Sequence, residues 1–403
     1  MIKKIRKLQS TSKLFASIFL LIVTFTYAMF QGGFVSWFLF ASFLPFAVYG
    51  ILLLIYPLND FQVKRKLNQE QYRSGDRLIG TITIERKFPF PLGYIVVEEV
   101  LPSDLLFCIQ TKKVKVLLFP WFKRSITFQY ALDQMPRGDH TLSTIRIKTG
   151  DFLGLVEKEK KFDLENHFLV YPHYVDLVYR KRESKFDQGA TTSNVRLVRD
   201  TSMTVGVREY QPGDRFSWID WKATAKKNDI MTKEFEQQQS HDVMIYLDRS
   251  HSSSFESAVS YTAALTKAIL KFGSQVGLVS IGKERSVFPL KGGEEQFAQI
   301  YYHLARVQPN SKTSFAKTMQ MELGKAQPNV TFVFVTGKLS KGMVDSLGKM
   351  SFRQLDMQVY ITKDKGQKMS KEESVYMEQL LKRNVFVKVV NHAELKSLYS
   401  EVS

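Results

Sequence analysis

The sequence predicts a multidomain chain: a two-helix membrane hairpin, a β-sandwich-like domain, then a doubly wound α/β domain. Three observations carry that reading. Two long uncharged apolar runs lie near the amino terminus. The stretch after them alternates with a period of two between turn residues. Residues 241–403 switch between short apolar runs and segments of helical spacing.

A length of 403 residues leaves room for several domains. The single cysteine, Cys108, excludes an internal disulfide and a cysteine-built zinc cage, and it fits a reducing compartment. The formal charge of +18 points to an anionic membrane surface, nucleic acid or an acidic partner. The basic residues form small clusters, at Lys64–Lys66, Arg180–Arg182 and Lys226–Lys227. There is no zinc finger, RNA-recognition signature or basic helix with heptads. A membrane surface and protein partners therefore rank above nucleic acid.

Residues 1–60 are expected to form the hairpin. Leu14–Phe30 and Phe34–Tyr56 are uncharged, and Gln31-Gly32-Gly33 turns between them. The second run is about long enough to span a ~30 Å hydrocarbon core. Trp37 and Tyr56 sit near its ends, where amphipathic rings prefer the interface. Pro45 lies inside it, which a membrane helix tolerates. Lys3, Lys4, Arg6, Lys7 and Lys13 precede the first run, and Lys64, Arg65 and Lys66 follow the second. Both flanks are basic, so the expectation is a multi-pass cell-membrane protein with its soluble domains cytoplasmic. A cleaved signal peptide ending near Thr26-Tyr27-Ala28 is the alternative for the first run. The basic flank of the second run stays inside in either case.

Residues 61–165 are expected to form the β-sandwich-like domain. Arg77–Arg86, Tyr94–Val100, Lys113–Phe119, Ser125–Leu132 and Leu142–Lys148 read as strands separated by Gly, Pro and Asp turns. No catalytic constellation stands out, and His140 reads as a surface histidine beside a turn. Spacing and protein contact are the expected roles.

Residues 166–240 read as a polar linker followed by a dense motif, Val207–Gln238. In Gln211-Pro212-Gly213-Asp214, proline fixes φ at the second turn position and glycine allows positive φ at the third. Trp218 and Trp221 are three apart and would share a helix face. Asp214 and Asp220 are interleaved with Arg208, Arg215 and Lys222. An amphipathic helix with surface ion pairs explains part of this. Two tryptophans among paired charges also suit docking to a partner, through Arg208, Tyr210, Gly213, Asp214, Trp218, Asp220, Trp221 and Lys222.

In residues 241–403, Val243–Leu247, Val276–Ile281, Val330–Val335, Gln358–Ile361 and Val385–Val390 read as strands. Ser286–Pro289 would pair beside the second of them. Phe255–Phe272, Glu294–Val307, Phe315–Lys325 and Lys371–Lys382 read as helices. Such alternation predicts a mostly parallel sheet, whose ligands bind at the carboxyl ends of strands. Asp248 lies at such an end, in the pattern D-x-S-x-S with Ser250 and Ser252. One carboxylate and two hydroxyls at alternate loop positions are ligands that Mg²⁺ accepts. Asp and Ser also dominate ordinary turns. Gly277–Glu284 nearly matches a phosphate-binding loop but lacks the hydroxyl after Lys283. The seven histidines show no metal-ligand spacing, and His251 reads as a solvated loop residue.

The run Arg208-x-Tyr210-x-x-Gly213-Asp214, followed by Ile219-Asp220-Trp221-Lys222-x-x-Ala225, resembles the signature of the bacterial family known as domain of unknown function 58. Arg137-Gly138-Asp139-His140, Asp151-Phe152-Leu153-Gly154-Leu155 and Val170-Tyr171-Pro172 also resemble family segments. The resemblance implies that residues 241–403 are a von Willebrand factor A-like domain. It implies a Mg²⁺ site, similar to a metal-ion-dependent adhesion site, of Asp248, Ser250, Ser252 and Thr313. The aspartate expected after Val330–Val335 is missing: Thr336-Gly337-Lys338 stands there, and Lys338 would bring positive charge near a cation. The resemblance further implies a MoxR-type AAA+ ATPase as partner, in chaperone-like maturation or remodelling of other proteins. The expected function is thus a membrane-anchored, non-enzymatic adaptor without a small-molecule substrate. A metal-dependent phosphoesterase using Asp248 and Asp220 is the enzymatic alternative, and a metal-free cell-envelope scaffold the structural one.

Overall fold

The structure, a computed structural model, describes residues 18–106, 114–154, 156–179, 204–212, 214–227, 229–235, 242–311, 314–324, 330–351, 355–364 and 366–391. The chain divides into two compact units, Met1–His173 and Tyr174–Ser403. It is a multidomain chain with an apolar amino-terminal helix and several sheets.

The first unit begins with helices α1 (Ile18–Gln31) and α2 (Phe34–Ile55). Gly32 makes the turn between them at φ 55°, a conformation glycine adopts without strain. The Phe25 and Phe40 rings lie 5.4 Å apart. α2 is 22 residues long and apolar enough to cross a membrane, with Pro45 inside it. α1 is shorter over its described residues, and the expected start of the first span at Leu14 lies outside them.

After a single helical turn at Leu58–Asp60 come β1 (Phe61–Leu67), β2 (Gln71–Arg73), β3 (Leu78–Arg86) and β4 (Tyr94–Val100). The short helix α3 (Ser103–Leu106) precedes β5 (Lys115–Leu118), β6 (Ser125–Leu132), β7 (Gly138–Gly150) and β8 (Glu157–Tyr171). One sheet has the order β1-β3-β6 and the other β2-β8-β7-β4-β5. Alternate residues of each sheet enter a shared core, among them Ile82, Ile84 and Tyr130 from the first and Ile95, Val97, Ile145 and Ile147 from the second. Two faces with period-two burial, packed on each other, make a sandwich-like unit. β8 continues to Tyr171, past the expected end of the β domain at about 165.

Several polar groups are sealed in this unit. Arg65 and Glu99 form an ion pair with fully buried side chains. The guanidinium also donates to Asn166 Oδ1 at 2.8 Å and to the Leu142 carbonyl at 2.6 Å. His140 is buried, contrary to the surface position expected of it. Its Nε2 lies 2.9 Å from the Pro136 carbonyl, and its ring packs 5.7 Å from that of Phe168. The tight turn before β7 folds the ring back over Gly138, where a Cβ would lie 3.2 Å from the His140 Nε2.

The second unit opens with an extended strap. The Tyr174 ring meets Phe297 at 5.8 Å and Tyr301 at 5.4 Å, and Tyr179 meets Phe272 at 5.6 Å. β9 (Thr204–Glu209), α4 (Trp221–Lys227) and β10 (Met231–Phe235) follow, with β9 and β10 paired antiparallel.

Then come β11 (Asp242–Asp248), α5 (Phe255–Lys271), β12 (Val276–Ile281), β13 (Arg285–Lys291), α6 (Glu294–Arg306), α7 (Phe315–Leu323) and β14 (Val330–Thr336). α8 (Lys341–Met350), β15 (Met357–Lys363), α9 (Lys371–Lys382) and β16 (Phe386–Asn391) complete the described chain. The sheet order is β13-β12-β11-β14-β15-β16, parallel except for β13. Phe332 and Phe334 enter a core with α7 and α8, whereas Val333 and Val335 enter one with α5 and α6. Helices therefore cover both faces, as an apolar parallel strand requires. The winding reverses between β11 and β14, and their carboxyl ends frame the crevice where such sheets bind ligands.

Candidate functional site

Asp248 ends β11 at this reversal and is buried. Its Oδ1 accepts the Ser250 N–H at 2.9 Å, which folds the exit loop back on the strand. Its Oδ2 accepts the Thr336 hydroxyl at 2.8 Å, at the end of β14. The two neighbouring strand exits are thus tied through one carboxylate.

The loop hydroxyls form a second tie. The Ser252 and Ser254 Oγ atoms lie 3.1 Å apart, and Ser254 donates to the Gly337 carbonyl at 3.3 Å. A Cβ at position 337 would come within 2.3 Å of Ser252 Oγ and 2.6 Å of Ser254 Oγ. Glycine at 337 is what lets these serines pack against β14. An aspartate there collides with them.

β15 closes the floor. Lys363 is buried, and its ammonium donates to the Gly337 carbonyl at 3.2 Å and to Glu373 Oε1 at 2.8 Å. Glu373 belongs to the capping box that starts α9 with Ser370. Burial alone would raise its pKa. The hydrogen bond and charge of Lys363, with the Ser370 and Leu339 N–H groups, outweigh that and hold it below the ordinary value. Asp364 accepts a short hydrogen bond from Ser257 of α5. Arg249, also buried, donates to the Gln308 carbonyl at 3.0 Å, while its own carbonyl accepts the Ser311 N–H at 3.1 Å. It anchors the loop that leads toward α7. Ser250 and Ser252 are part-exposed above this network, and His251 and Ser253 are exposed.

These donors do not fit a resident Mg²⁺. They supply one carboxylate, already bonded on both oxygens. The position of a second acid is filled by Ser252 and Ser254, and a buried ammonium lies beneath. Hard cations are retained by several oxygen ligands with enough charge. Among the described residues no three His, Cys, Asp or Glu side chains gather around one point. Thr313 lies outside the described residues. Lys338, the residue expected to bring positive charge, is exposed; Lys363 is the cation below the loop.

The signature residues build a separate lobe on β9, α4 and β10. Arg208 pairs with Asp214 at 2.8 Å, and Asp214 Oδ2 closes the turn by accepting the Gln211 N–H. Tyr210 stacks on Phe216, and the Arg215 guanidinium lies 5.5 Å from the Trp218 ring centre. Asp220 Oδ1 accepts the N–H groups of Lys222 and Ala223, both at 3.1 Å. It caps α4, so the helix starts at Trp221. Trp218 lies before the cap, in a separate helical turn, and does not share a helix with Trp221 as its spacing suggested. Asp214 and Asp220 thus both work locally. Phe216, Trp221 and Lys222 are exposed, and Gly213 lies outside the described residues.

Sequence reasoning missed Thr336, Ser254, Lys363 and Glu373. The Ser370-x-x-Glu373 spacing was a readable cap signal. Nothing in the sequence tied its glutamate to the lysine that ends the preceding strand, ten residues earlier.

The profile of the family described as "Protein of unknown function DUF58" matches residues 206–396. The "Uncharacterized protein YeaD" of Bacillus subtilis (strain 168) is 41% identical over 370 residues, covering 91% of this chain and 92% of that protein. A β-glucosidase structure from Erythrobacter marinus is 17% identical over 26% of this chain and 15% of that one, with a TM-score of 0.14. Cwp6 from Clostridium difficile is 10% identical over 83% of this chain and 54% of that one, also with a TM-score of 0.14. At such scores neither likeness bears on fold or function. The motif Arg208–Ala225 lies within the matched span, and the relative covers nearly the whole length; the chain belongs to the DUF58 family.

Proposed function

We propose that this chain is a membrane-anchored, non-enzymatic adaptor whose α/β domain docks a partner protein at the carboxyl ends of β11, β14 and β15. The carrying observation is the network of Asp248, Thr336, Ser254, Gly337 and Lys363. It fixes three strand exits beneath a rim of part-exposed Ser250 and exposed His251 and Ser253. A rim held this way is preorganised, which lowers the ordering cost of binding. We read the domain as von Willebrand factor A-like, since D-x-S-x-S leaves the first strand at the reversal of the winding. We read α1, with the residues before it, as a second span beside α2. Both soluble units are then cytoplasmic, in keeping with the basic flanks.

The family resemblance implies a MoxR-type AAA+ ATPase as the partner and chaperone-like maturation or remodelling as the process. The exposed Phe216 and Trp221 of the signature lobe supply a second contact with aromatic anchors. Magnesium belongs to this reading only as an ion shared with a carboxylate of the partner. For the protein alone, calorimetry should show Mg²⁺ binding no tighter than about 10⁻³ M. Affinity capture of the full chain from detergent-solubilised membranes tests the docking. The wild type should retain an AAA+ ATPase, and H251D/S253R should lose it while folding normally, because both side chains are exposed and the variant removes only the exposed bond from Gln367 Nε2 to Ser253 Oγ. Equal retention by both proteins, or no ATPase with either, rejects the reading.

A further inference from the structure

We propose that the β unit is itself a membrane-surface module, whose loops around the carboxyl end of α2 seat in the headgroup layer of an anionic phospholipid bilayer. This rests on the reading of α2 as a membrane span.

Helix length carries the first half of the argument. α2 has 22 residues, about 33 Å at helical rise. Its last two turns are held by the β unit. The Tyr49 ring stacks on Phe90 at 5.9 Å and on Phe152 at 5.8 Å, and its hydroxyl accepts the Gly93 N–H at 3.0 Å. The Tyr56 ring stacks on Phe90 at 5.0 Å. Lys158 of β8 donates to the carbonyls of Leu53, Leu54 and Tyr56 at 3.1, 2.6 and 2.6 Å. The part of α2 before Tyr49 measures only about 22 Å, well short of a ~30 Å hydrocarbon core. A crossing by α2 therefore brings the Tyr49–Ile55 segment to the boundary of the bilayer. The loops bonded to that segment come with it.

The chemistry of those loops carries the second half. Buried Arg86 donates to the carbonyls of Phe90 at 2.6 Å and Lys123 at 2.7 Å, and also to that of Trp121. It locks loop 87–93 to loop 119–124. Trp121 and Leu92 exchange backbone hydrogen bonds, the shorter at 3.0 Å. Asp151 Oδ1 accepts the Val156 N–H at 2.8 Å, and Gly154 turns the chain at φ 69°. That turn, within the family-like segment from Asp151 to Gly154, leaves Phe152 and Leu153 exposed. On these rigid loops Phe88, Trp121 and Phe122 are 64%, 55% and 65% exposed. Clustered exposed rings of this size mark a contact surface, and the headgroup level is where such rings concentrate. Phe88 lines an apolar cleft of about 500 Å³ together with Leu52 and Ile55 of α2. The rings thus continue the exposed apolar side of the helix. Lys87, Lys123 and Arg124 are exposed on the same loops and suit lipid phosphates, as basic residues do near an anionic surface.

Depth-dependent quenching tests this on the full chain in vesicles of phosphatidylcholine and phosphatidylglycerol, with phosphatidylcholine brominated near the headgroup or near the chain end. One variant keeps only Trp121 (W37F/W218F/W221F) and a second keeps only Trp37 (W121F/W218F/W221F). Trp121 emission should fall to about half with shallow bromine, and less with deep bromine, as for an interfacial ring. Trp37 should also be quenched, because it lies in the span. Quenched Trp37 with unquenched Trp121 overturns the surface module and leaves the anchor standing. If neither is quenched, the anchor fails and the module with it. In a third variant, K87S/K123S/R124S in the Trp121-only background, quenching should no longer depend on phosphatidylglycerol. Unchanged dependence overturns the choice of anionic lipid.

Discussion

Glu99 shows what burial does to one carboxyl group in this chain. Burial is the largest influence and raises its pKa; Arg65 beside it pulls the other way, and the balance leaves it at about 7. The Tyr130 hydroxyl, buried next to both, is pushed up by burial and by the Glu99 charge. A raised carboxyl pKa means that the folded state prefers the proton. Stability from this group is complete below the ordinary carboxyl range and is lost as pH rises through about 7, to a total of at most about 3 kcal/mol. Glu99→Gln removes that dependence while keeping a neutral partner for Arg65. Chemical denaturation of both proteins between pH 4.5 and pH 8 measures the difference. The wild type should lose stability relative to E99Q across this window, and a constant difference would show that Glu99 titrates normally.

At the scale of elements, Lys158 joins a strand to a helix. α2 has no basic residue in its own last turn, and Lys158 of β8 supplies the missing charge at the negative end of the helix dipole. Burial lowers the pKa of its ammonium group. Lys158→Met keeps the apolar stem but leaves three carbonyls without this donor, at a cost of roughly 1–2 kcal/mol. In detergent the first unit should melt about 2–8 °C lower, and no change would mean that water replaces the amine. β8 also shows where sequence reading ran out. Its run from Glu157 to Asn166 is mostly charged, and half-buried lysine stems at 158 and 160 take inward positions, which hides the alternation that marked β3. α8 was overlooked because Gly342 and Gly348 interrupt its pattern, although Ser340 caps its start. The parallel strands were legible, because Val330–Thr336 and Val276–Ile281 are apolar on both faces. The position of Asp248 at a strand end was legible for the same reason. Its partner Thr336, and the Lys363 contact to Gly337 beside it, were not, since only strand order brings residues so distant in sequence together.

At the scale of the molecule, each unit has cores of its own: one between the two sheets of the first, and one on each face of the sheet in the second. Separate cores predict separate cooperative opening. Gly337→Ala is a clean probe, because position 337 has no room for a methyl group beside Ser252 and Ser254. Overpacking of this kind costs typically about 1–3 kcal/mol. The serines belong to the loop between β11 and α5, so the strain falls on the strand exits that the docking proposal relies on. Hydrogen exchange of the full chain, read peptide by peptide, should show faster exchange in β11, β14, β15 and α5. β1 to β8 should be unchanged. Equal acceleration in both units would mean that the chain opens as one body. The double variant G337A/S252G removes the closest clashing atom and should recover most of the protection; failure to recover would place the strain elsewhere than at the contact between Gly337 and Ser252.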